Sequence, residues 1–470
     1  MTITAPFDNT YARLPDAFFT RQMPAPVRAP ELIAYNAPLG ALLGFSQADD
    51  AERAAVFSGT ALPEGAAPLA QLYAGHQFGN YNPQLGDGRA LLLGEVVGKD
   101  GLRRDIQLKG SGPTPYSRMG DGRAWLGPVL REYIVSEAMH ALGIPTTRAL
   151  AATLTGEEVI RETVLPGAVL TRVAASHLRV GTFQVFAHRG QTDALRQLTD
   201  YAIGRHYPDV HGPMGLLLAV CDAQARLIAA WMSVGFIHGV MNTDNCTISG
   251  ETIDYGPCAF MDEFHSDTVF SSIDQTGRYA YSSQPRIAVW NMAQFATSLL
   301  QQMDDPEAAV EEATAIVHAM PEQIETAWLQ RFGAKIGLAA PAPEDGQLVQ
   351  TLLDLMQAQG ADFTNTFDAL ARGDARDQFV DRDAFDAWAA DWRDRLASEE
   401  APGAVMQAAS PRIIPRNHRI EEMITAAVAG DFAPFERLSS ALADPFSTDD
   451  TGLMRPPTEA QRVPATFCGT

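Results

Sequence analysis

The order of its patterns predicts an α+β chain folded as two lobes, strands leading and helices following. Three observations carry this. At 470 residues the chain exceeds the roughly 250–300 residues that one hydrophobic core supports, so at least two cores are expected. Between positions 90 and 173, β-type runs bounded by Gly-containing turns prevail. From Gln191 onward, apolar residues recur at the three- and four-residue spacing of helices. The expected division is an N-terminal extension (1–85), a strand-rich N-lobe (86–190), a helical C-lobe (191–442) and a C-terminal tail (443–470) carrying Cys468.

Residues 1–85 are rich in Pro, Gly and Ala, with short apolar pieces such as Leu39-Gly-Ala-Leu-Leu-Gly-Phe45, and read as an extended segment wrapped on the body. Ala90–Val97 and 105–109 are predicted strands, joined by Gly98-Lys-Asp-Gly101, whose Gly and Asp suit a hairpin. A helix is predicted over 125–142. Leu126, Val129, Leu130, Tyr133, Ile134, Ala138, Met139 and Leu142 form its stripe, and Gly143 ends it with Pro145 beyond. Glu132 stands at the edge of that stripe, where it can reach Lys109. Strands follow at 148–155 and 159–173, split by a turn at Gly156-Glu-Glu. Helices are predicted at 191–206, 214–235, 286–302, 308–331, 347–358 and 416–429. Pro341-Ala-Pro-Glu-Asp-Gly346 and 398–410 read as surface loops. The tail from Ala443 has too little apolar content to pack by itself. Gly86-Asp-Gly-Arg-Ala90 recurs as Gly120-Asp-Gly-Arg-Ala124 without wider periodicity, which makes two similar loops and no duplicated domain.

Net charge is 35 − 57 = −22, which repels polyanions and argues against nucleic acid or an anionic membrane as partner. Runs such as Leu216-Leu-Leu-Ala-Val-Cys221 and Leu227-Ile-Ala-Ala-Trp-Met232 are shorter than the ~18 residues of a membrane helix, so no membrane span is expected. Met1-Thr-Ile-Thr-Ala-Pro-Phe-Asp has the plan of neither a secretion signal nor a transit peptide, and the expected compartment is the cytoplasm. Cys221, Cys246, Cys258 and Cys468 are too few for a disulfide framework and lack metal-ligand spacing. Cys468, in the Pro-rich tail, is the one expected to be accessible.

Phe236-Ile-His-Gly-Val-Met-Asn-Thr-Asp-Asn245, running on to Ile253-Asp-Tyr-Gly256, is similar to the catalytic and metal-binding loops of protein kinases. There a His-Arg-Asp-x-x-x-x-Asn loop supplies a proton-accepting Asp and a metal-binding Asn, and Asp-Phe-Gly supplies another metal ligand. Asn245 and Asp254 fill the metal places. Two residues after His238, where the base should stand, is Val240, which neither accepts a proton nor binds a cation. A positioned base contributes about 10²–10⁴ in rate, so the chain either binds nucleotide without turnover or uses the metal site for different chemistry. Asp244 offers a carboxylate beside Asn245, as base or further metal contact; its plain alternative is an Asx turn. His238 reads as a structural prop.

Upstream, Gly86-x-Gly88 lets backbone approach phosphate, and Arg89 adds a bidentate donor, although such turns are commonly only turns and Leu91 stands at the third glycine of G-x-G-x-x-G. Lys109 and Glu132 resemble the strand lysine and helix glutamate that hold nucleotide phosphates in kinases. Arg172 and Arg179 would ordinarily be solvated, yet a triphosphate bound by so acidic a chain needs cations. Asp121-Gly122 is a plain turn or part of the same site. The order of the five elements, glycine loop, Lys, helix Glu, His-loop Asn and Asp-Tyr-Gly, is what lifts them above chance.

Together with Phe7-Asp-Asn-Thr-Tyr-Ala-Arg-Leu-Pro15, Leu72-Tyr-Ala-Gly-His-Gln-Phe-Gly79, Pro83-Gln-Leu-Gly-Asp-Gly-Arg-Ala90 and Leu108-Lys-Gly-Ser-Gly-Pro-Thr-Pro-Tyr-Ser-Arg118, the loops at 238–256 make a chain that resembles the selenoprotein O family from about 7 to 468. The resemblance implies a protein-kinase-like bilobal fold that binds ATP inverted and transfers AMP to Ser, Thr or Tyr hydroxyls of proteins, with UMP transfer as a variant. It implies that Gly86, Gly88, Arg89, Lys109, Asp121, Gly122, Arg172, Arg179 and Asp254 bind nucleotide. Asn245 and Asp254 would hold Mg²⁺ or Mn²⁺, Asp244 would accept the proton, and Glu132 would pair with Lys109. Members that end in selenocysteine or cysteine can pair it with an activation-segment cysteine; here that place is Phe270, which leaves Cys258 as the nearest partner for Cys468 and for a link to redox homeostasis. The expectation is a metal-dependent, monomeric protein adenylyltransferase. Its rivals are a non-catalytic ATP-binding pseudokinase and a conventional kinase.

Overall fold

The computed structural model describes residues 3–467. Its strands are β1 (Phe19–Arg21), β2 (Glu31–Tyr35), β3 (Leu69–Gln71), β4 (Gly75–Gln77), β5 (Asn80–Asn82), β6 (Ala90–Val97), β7 (Arg103–Lys109), β8 (Ala124–Trp125), β9 (Arg148–Ile160), β10 (Val164–Ala174), β11 (Phe236–Ile237) and β12 (Ala259–Phe260). One mixed-origin sheet runs β1-β3-β6-β7-β10-β9-β2, with β8 beside β10, and the pairings along it are antiparallel. The opening segment, expected to lie extended on the body, therefore supplies both edges of the sheet. It also supplies the separate β4–β5 hairpin.

The helices α1 (Ala37–Leu43) and α2 (Asp50–Phe57) cover one face of this sheet, where Leu39, Leu43 and Phe57 join Leu93, Ile106, Leu108, Leu150, Val169 and Val173. The opposite face carries Leu92, Ala152 and Leu170 and packs on α3 (Leu126–Ala141). Coverage of both faces explains why β6 reads as a nearly unbroken apolar run instead of alternating. The predicted turn at Gly156 is corrected. β9 continues through it to Ile160, and Gly156 sits instead in a bulge, at φ +68° with a register shift between Pro166 and Ala168 on the facing strand. The chain reverses at Arg161-Glu-Thr163.

The helical part comprises α4 (Val180–His188), α5 (Thr192–His206), α6 (Gly212–Ser233), α7 (Gln284–Leu300), α8 (Pro306–Lys335), α9 (Asp345–Gln359), α10 (Phe363–Arg372), α11 (Arg382–Leu396), α12 (Pro402–Ala409), α13 (Asn417–Val428) and α14 (Ala433–Leu442). α12 corrects the loop expected over 398–410: Pro402 stands in its first turn, where a missing N–H costs nothing. α6 is long and apolar enough by composition to cross a membrane, with mean hydropathy 1.4 over its most apolar 18 residues, and 67% of that window is buried inside the protein. α6, α7 and the first half of α8 share the core beneath the sheet, whereas α9 to α12 close a second core around Phe363, Phe367, Trp388 and Trp392. Beyond α14 the tail lies on the body, with Leu453 buried and Thr466 paired to Phe270 and Ser272.

Candidate active site

Alternation along β7 puts Asp105, Gln107 and Lys109 on one face. The register places Arg172 of β10 directly opposite Gln107, and the Gln107 Oε1 accepts from Arg172 Nη2 at 2.6 Å and Nε at 3.2 Å. Lys109 Nζ donates to Glu132 Oε2 of α3 at 2.5 Å and to Asp254 Oδ1 at 2.9 Å. Arg172 Nη1 reaches the same two carboxylates, at 3.2 Å and 2.7 Å. Arg179 Nη2 holds the other oxygen of Asp254 at 3.2 Å, and its guanidinium lies 4.4 Å from the centre of the Tyr73 ring, with Asp87 on its far side at 3.5 Å.

Contrary to the ordinary state of arginines, Arg172 and Arg179 are 2% and 1% exposed. Burial opposes ionisation of Asp254, but Lys109, Arg172 and Arg179 outweigh it and hold the carboxyl well below its usual range. Asp254 sits at φ +62°, in the left-handed region that Asp tolerates better than most residues, and this backbone turn aims its side chain at all three cations.

The loop before it is built from the inside. His238 is fully buried, stacked on Trp231, with Nε2 on the carbonyl of Ile253 at 2.8 Å, so it ties the two loops together as a prop. Asn245 Nδ2 donates to the carbonyl of Val240 at 2.9 Å. Asp244 is 8% exposed; Gln77 Nε2 donates to its Oδ2 at 3.0 Å, while its Oδ1 is buried without a hydrogen-bond partner. Burial pushes this carboxyl up to about 6, against the pull of Gln77.

Lys109, Arg172, Arg179, Asp244, Asn245 and Asp254 all open onto one cleft of about 1000 Å³, as do Gly86, Gly88, Arg89, Asp121 and Gly122. Glu132 lies just behind, lining a small adjoining cavity with Arg89 and Lys109. Close packing accounts for the glycines: a Cβ on Gly86 would stand 2.5 Å from the Tyr116 ring, one on Gly88 2.9 Å from the Tyr116 carbonyl, and one on Gly122, at φ +68°, 2.2 Å from the Gly112 backbone. Asp121 stands at the rim, paired with Arg161 at 2.8 and 3.1 Å. Tyr73, Gln77, Asp87 and Gln107 belong to this constellation and escaped sequence reasoning, although Gln77 lies within the Leu72-to-Gly79 motif and Asp87 within the first Gly-Asp-Gly.

Among the described residues no three His, Cys, Asp or Glu side chains gather as a metal cage. Asn245, whose amide nitrogen is committed to Val240, keeps its oxygen for a ligand, and it lines the same cleft as the Asp254 and Asp244 carboxylates. These are few and oxygen-only donors. They fit Mg²⁺ or Mn²⁺, which keep waters and draw further oxygens from bound phosphates. Cys258, named as a disulfide partner, is 1% exposed, and Cys468 lies outside the described residues.

A buried cluster of cations gathered on one carboxylate, opening on a cleft, fits the class in which comparison with known proteins puts the chain, the protein nucleotidyltransferases. A family model described as protein adenylyltransferase SelO matches residues 1–443, and the chain belongs to that family. It is 79% identical over 470 residues to the protein nucleotidyltransferase YdiU of Roseobacter denitrificans, covering 100% of both chains. The proteins of the same name from Ruegeria pomeroyi and Bradyrhizobium diazoefficiens are 69% and 56% identical, again over 100% of both chains.

Proposed function

We propose that the cleft binds ATP with Mg²⁺ or Mn²⁺ and passes AMP to a Ser, Thr or Tyr hydroxyl of a protein, within a kinase-like bilobal frame whose lobes are 86–190 and 191–442. One observation carries the reading. Val240 fills the place of a phosphotransferase base and is 5% exposed, whereas Asp244, four residues on, brings a carboxylate held by the Gln77 amide to the cleft. That carboxylate is suited to take a hydroxyl proton, and it lines the same cleft as Asn245 and Asp254.

In this reading Lys109, Arg172 and Arg179 exchange part of their hold on Asp254 for phosphate oxygens, which costs little because an anion replaces an anion. When bound, the metal neutralises phosphate charge and steadies the leaving group. The acceptor oxygen forms a bond to the α-phosphorus, the bond from that phosphorus to the β-phosphate bridge breaks, pyrophosphate departs with the electron pair, and the hydroxyl proton goes to Asp244. Glu132 keeps Lys109 oriented. Arg89 and the two Gly-Asp-Gly loops stand at the mouth as further phosphate and nucleoside contacts.

Incubation of the protein with cell extract and ATP labelled at either the α- or the γ-phosphate tests this. Label from the α-position on protein is expected. Label from the γ-position would make the chain a conventional kinase, and no label a non-catalytic binder. Asp254→Ala is expected to abolish labelling and weaken metal-nucleotide binding; undiminished labelling would remove Asp254 from the site.

A further inference from the structure

The β4–β5 hairpin belongs to the opening segment, yet it is bolted to the loop that carries Asp244. His76 N donates to Thr243 Oγ1 at 2.7 Å, and Phe78 N, from a residue at φ +51°, donates to Asn242 Oδ1 at 3.1 Å. Thr243 and His76 are bridged in turn by Gln184 of α4, at 2.6 and 2.9 Å. Between these bolts, Gln77 Nε2 meets Asp244 Oδ2 at 3.0 Å. Below it, Gly75 leaves room: a Cβ there would stand 2.4 Å from Asp244 Oδ1 and 2.8 Å from its Cβ and Cγ. The Asp244 carboxylate is thus held on one oxygen by an amide and packed against bare backbone on the other side. Oδ1 is the oxygen on that packed side, buried and without a hydrogen-bond partner.

We infer that Gln77 is a positioning residue for the transfer reaction: it fixes the rotation of the Asp244 carboxylate so that Oδ2, the oxygen it holds, is presented to the acceptor hydroxyl while Oδ1 stays turned in against Gly75. This rests on Asp244 as proton acceptor. A carboxylate turns about its last bond over a broad two-fold profile, so without the Gln77 amide the correct oxygen would have to be found at each turnover. The preference for Gln is chemical: its amide donates to a carboxylate without bringing a charge that would compete with phosphate or metal.

The test measures α-label incorporation from ATP into protein extract for the full chain and for Gln77→Met, which keeps shape and loses the donor, and Gln77→His, which restores an N–H. Gln77→Met is expected to lower the rate at saturating ATP about 10–100-fold, the scale of a small misplacement at a reacting centre. Its KM for ATP should stay within about twofold of wild type and its melting temperature should be unchanged, because the bolts at His76 and Phe78 remain; Gln77→His should recover part of the rate. A rate for Gln77→Met equal to wild type, or a loss that appears in KM or in melting temperature instead, overturns the inference. Gly75→Ala, which intrudes on the carboxylate from the other side, should likewise lower the saturating rate and spare KM.

Asp244→Asn separates this from the reading beneath it. If Asp244→Asn labels at the wild-type rate, the proton-acceptor role itself fails. If it is impaired, the double variant Gln77→Met with Asp244→Asn should be no slower than Asp244→Asn alone, since a residue acting through Asp244 has nothing left to position. A further multiplicative loss in the double variant would assign Gln77 a role of its own and sink the inference.

Discussion

Lys335 ends α8 with 2% of its surface exposed, its ammonium 4.8 Å from the Phe367 ring centre and 5.9 Å from that of Phe363. Burial, and after it the charge of Arg331, pushes its pKa down to about 7. The folded protein therefore holds fewer protons at this residue than the unfolded chain between pH 7 and the ordinary lysine value near 10.5, and stability falls as pH drops across that window. Ring faces compensate a desolvated ammonium only in part. Lys335→Met should accordingly stabilise the protein at pH 6 by about 1–3 kcal/mol, with the gain shrinking toward pH 10; thermal unfolding of both proteins at the two pH values checks this, and a loss at pH 6 would contradict it. In the cleft the same burial acts on two carboxylates with different outcomes. Asp254 is kept charged by three cations that outweigh its burial, and Asp244 is raised by burial against the pull of the Gln77 amide. Chemistry at these two carboxylates was named from spacing in the chain, but the environments that set them apart come from Gln77, Arg172 and Arg179, none of which is near them in sequence.

At the scale of elements, regular period was readable and irregularity was not. β6, β7 and α3 follow from alternation, hairpin glycines and a helical stripe, and the structure puts them at Ala90–Val97, Arg103–Lys109 and Leu126–Ala141. α4 went unseen because Val180, Phe183, Val185 and Phe186 are all buried among equally buried Gly181, Thr182 and Gln184, so no polar face marks the helix. Gly156 was legible as a glycine that needs freedom, yet it serves a bulge and not a chain reversal. Its Cβ position lies 2.6 Å from Ala29 Cβ, on the segment leading into β2. Gly156→Ala should cost about 1–2 kcal/mol for the left-handed backbone alone and more as β2 is pushed off β9. A lowered denaturation midpoint with unchanged slope is the expected result; an unchanged midpoint would mean the bulge relaxes.

Across the whole molecule, the two ends of the chain close on the middle. The opening segment forms both sheet edges and the hairpin on the loop that carries Asp244. The tail returns to the segment after Asp254: Thr466 N donates to Phe270 O at 2.7 Å, Ser272 N to Thr466 O at 2.9 Å, and Thr466 Oγ1 to Pro257 O at 2.5 Å, while Arg462 pairs with Glu263. Ending the chain at Arg455 removes all of these. Loss of hydrogen bonds worth about 1 kcal/mol each should ease local opening, so limited proteolysis within 262–278 is expected to quicken roughly tenfold or more. An unchanged cleavage pattern would show that this segment holds without the tail.

The identity and linear order of the reactive groups, from Gly86 through Lys109, Glu132 and Asn245 to Asp254, together with the valine at the expected base position, could be named from the chain because side-chain chemistry and short spacings are local properties. Which oxygen of Asp244 the Gln77 amide holds, how three cations converge on Asp254, and why a hairpin from the first 85 residues touches the loop that carries Asp244 are settled by folding alone. Contacts between residues more than a hundred positions apart leave no period in the sequence, and burial, which sets the charge state of each group, exists only once the cores have closed around it.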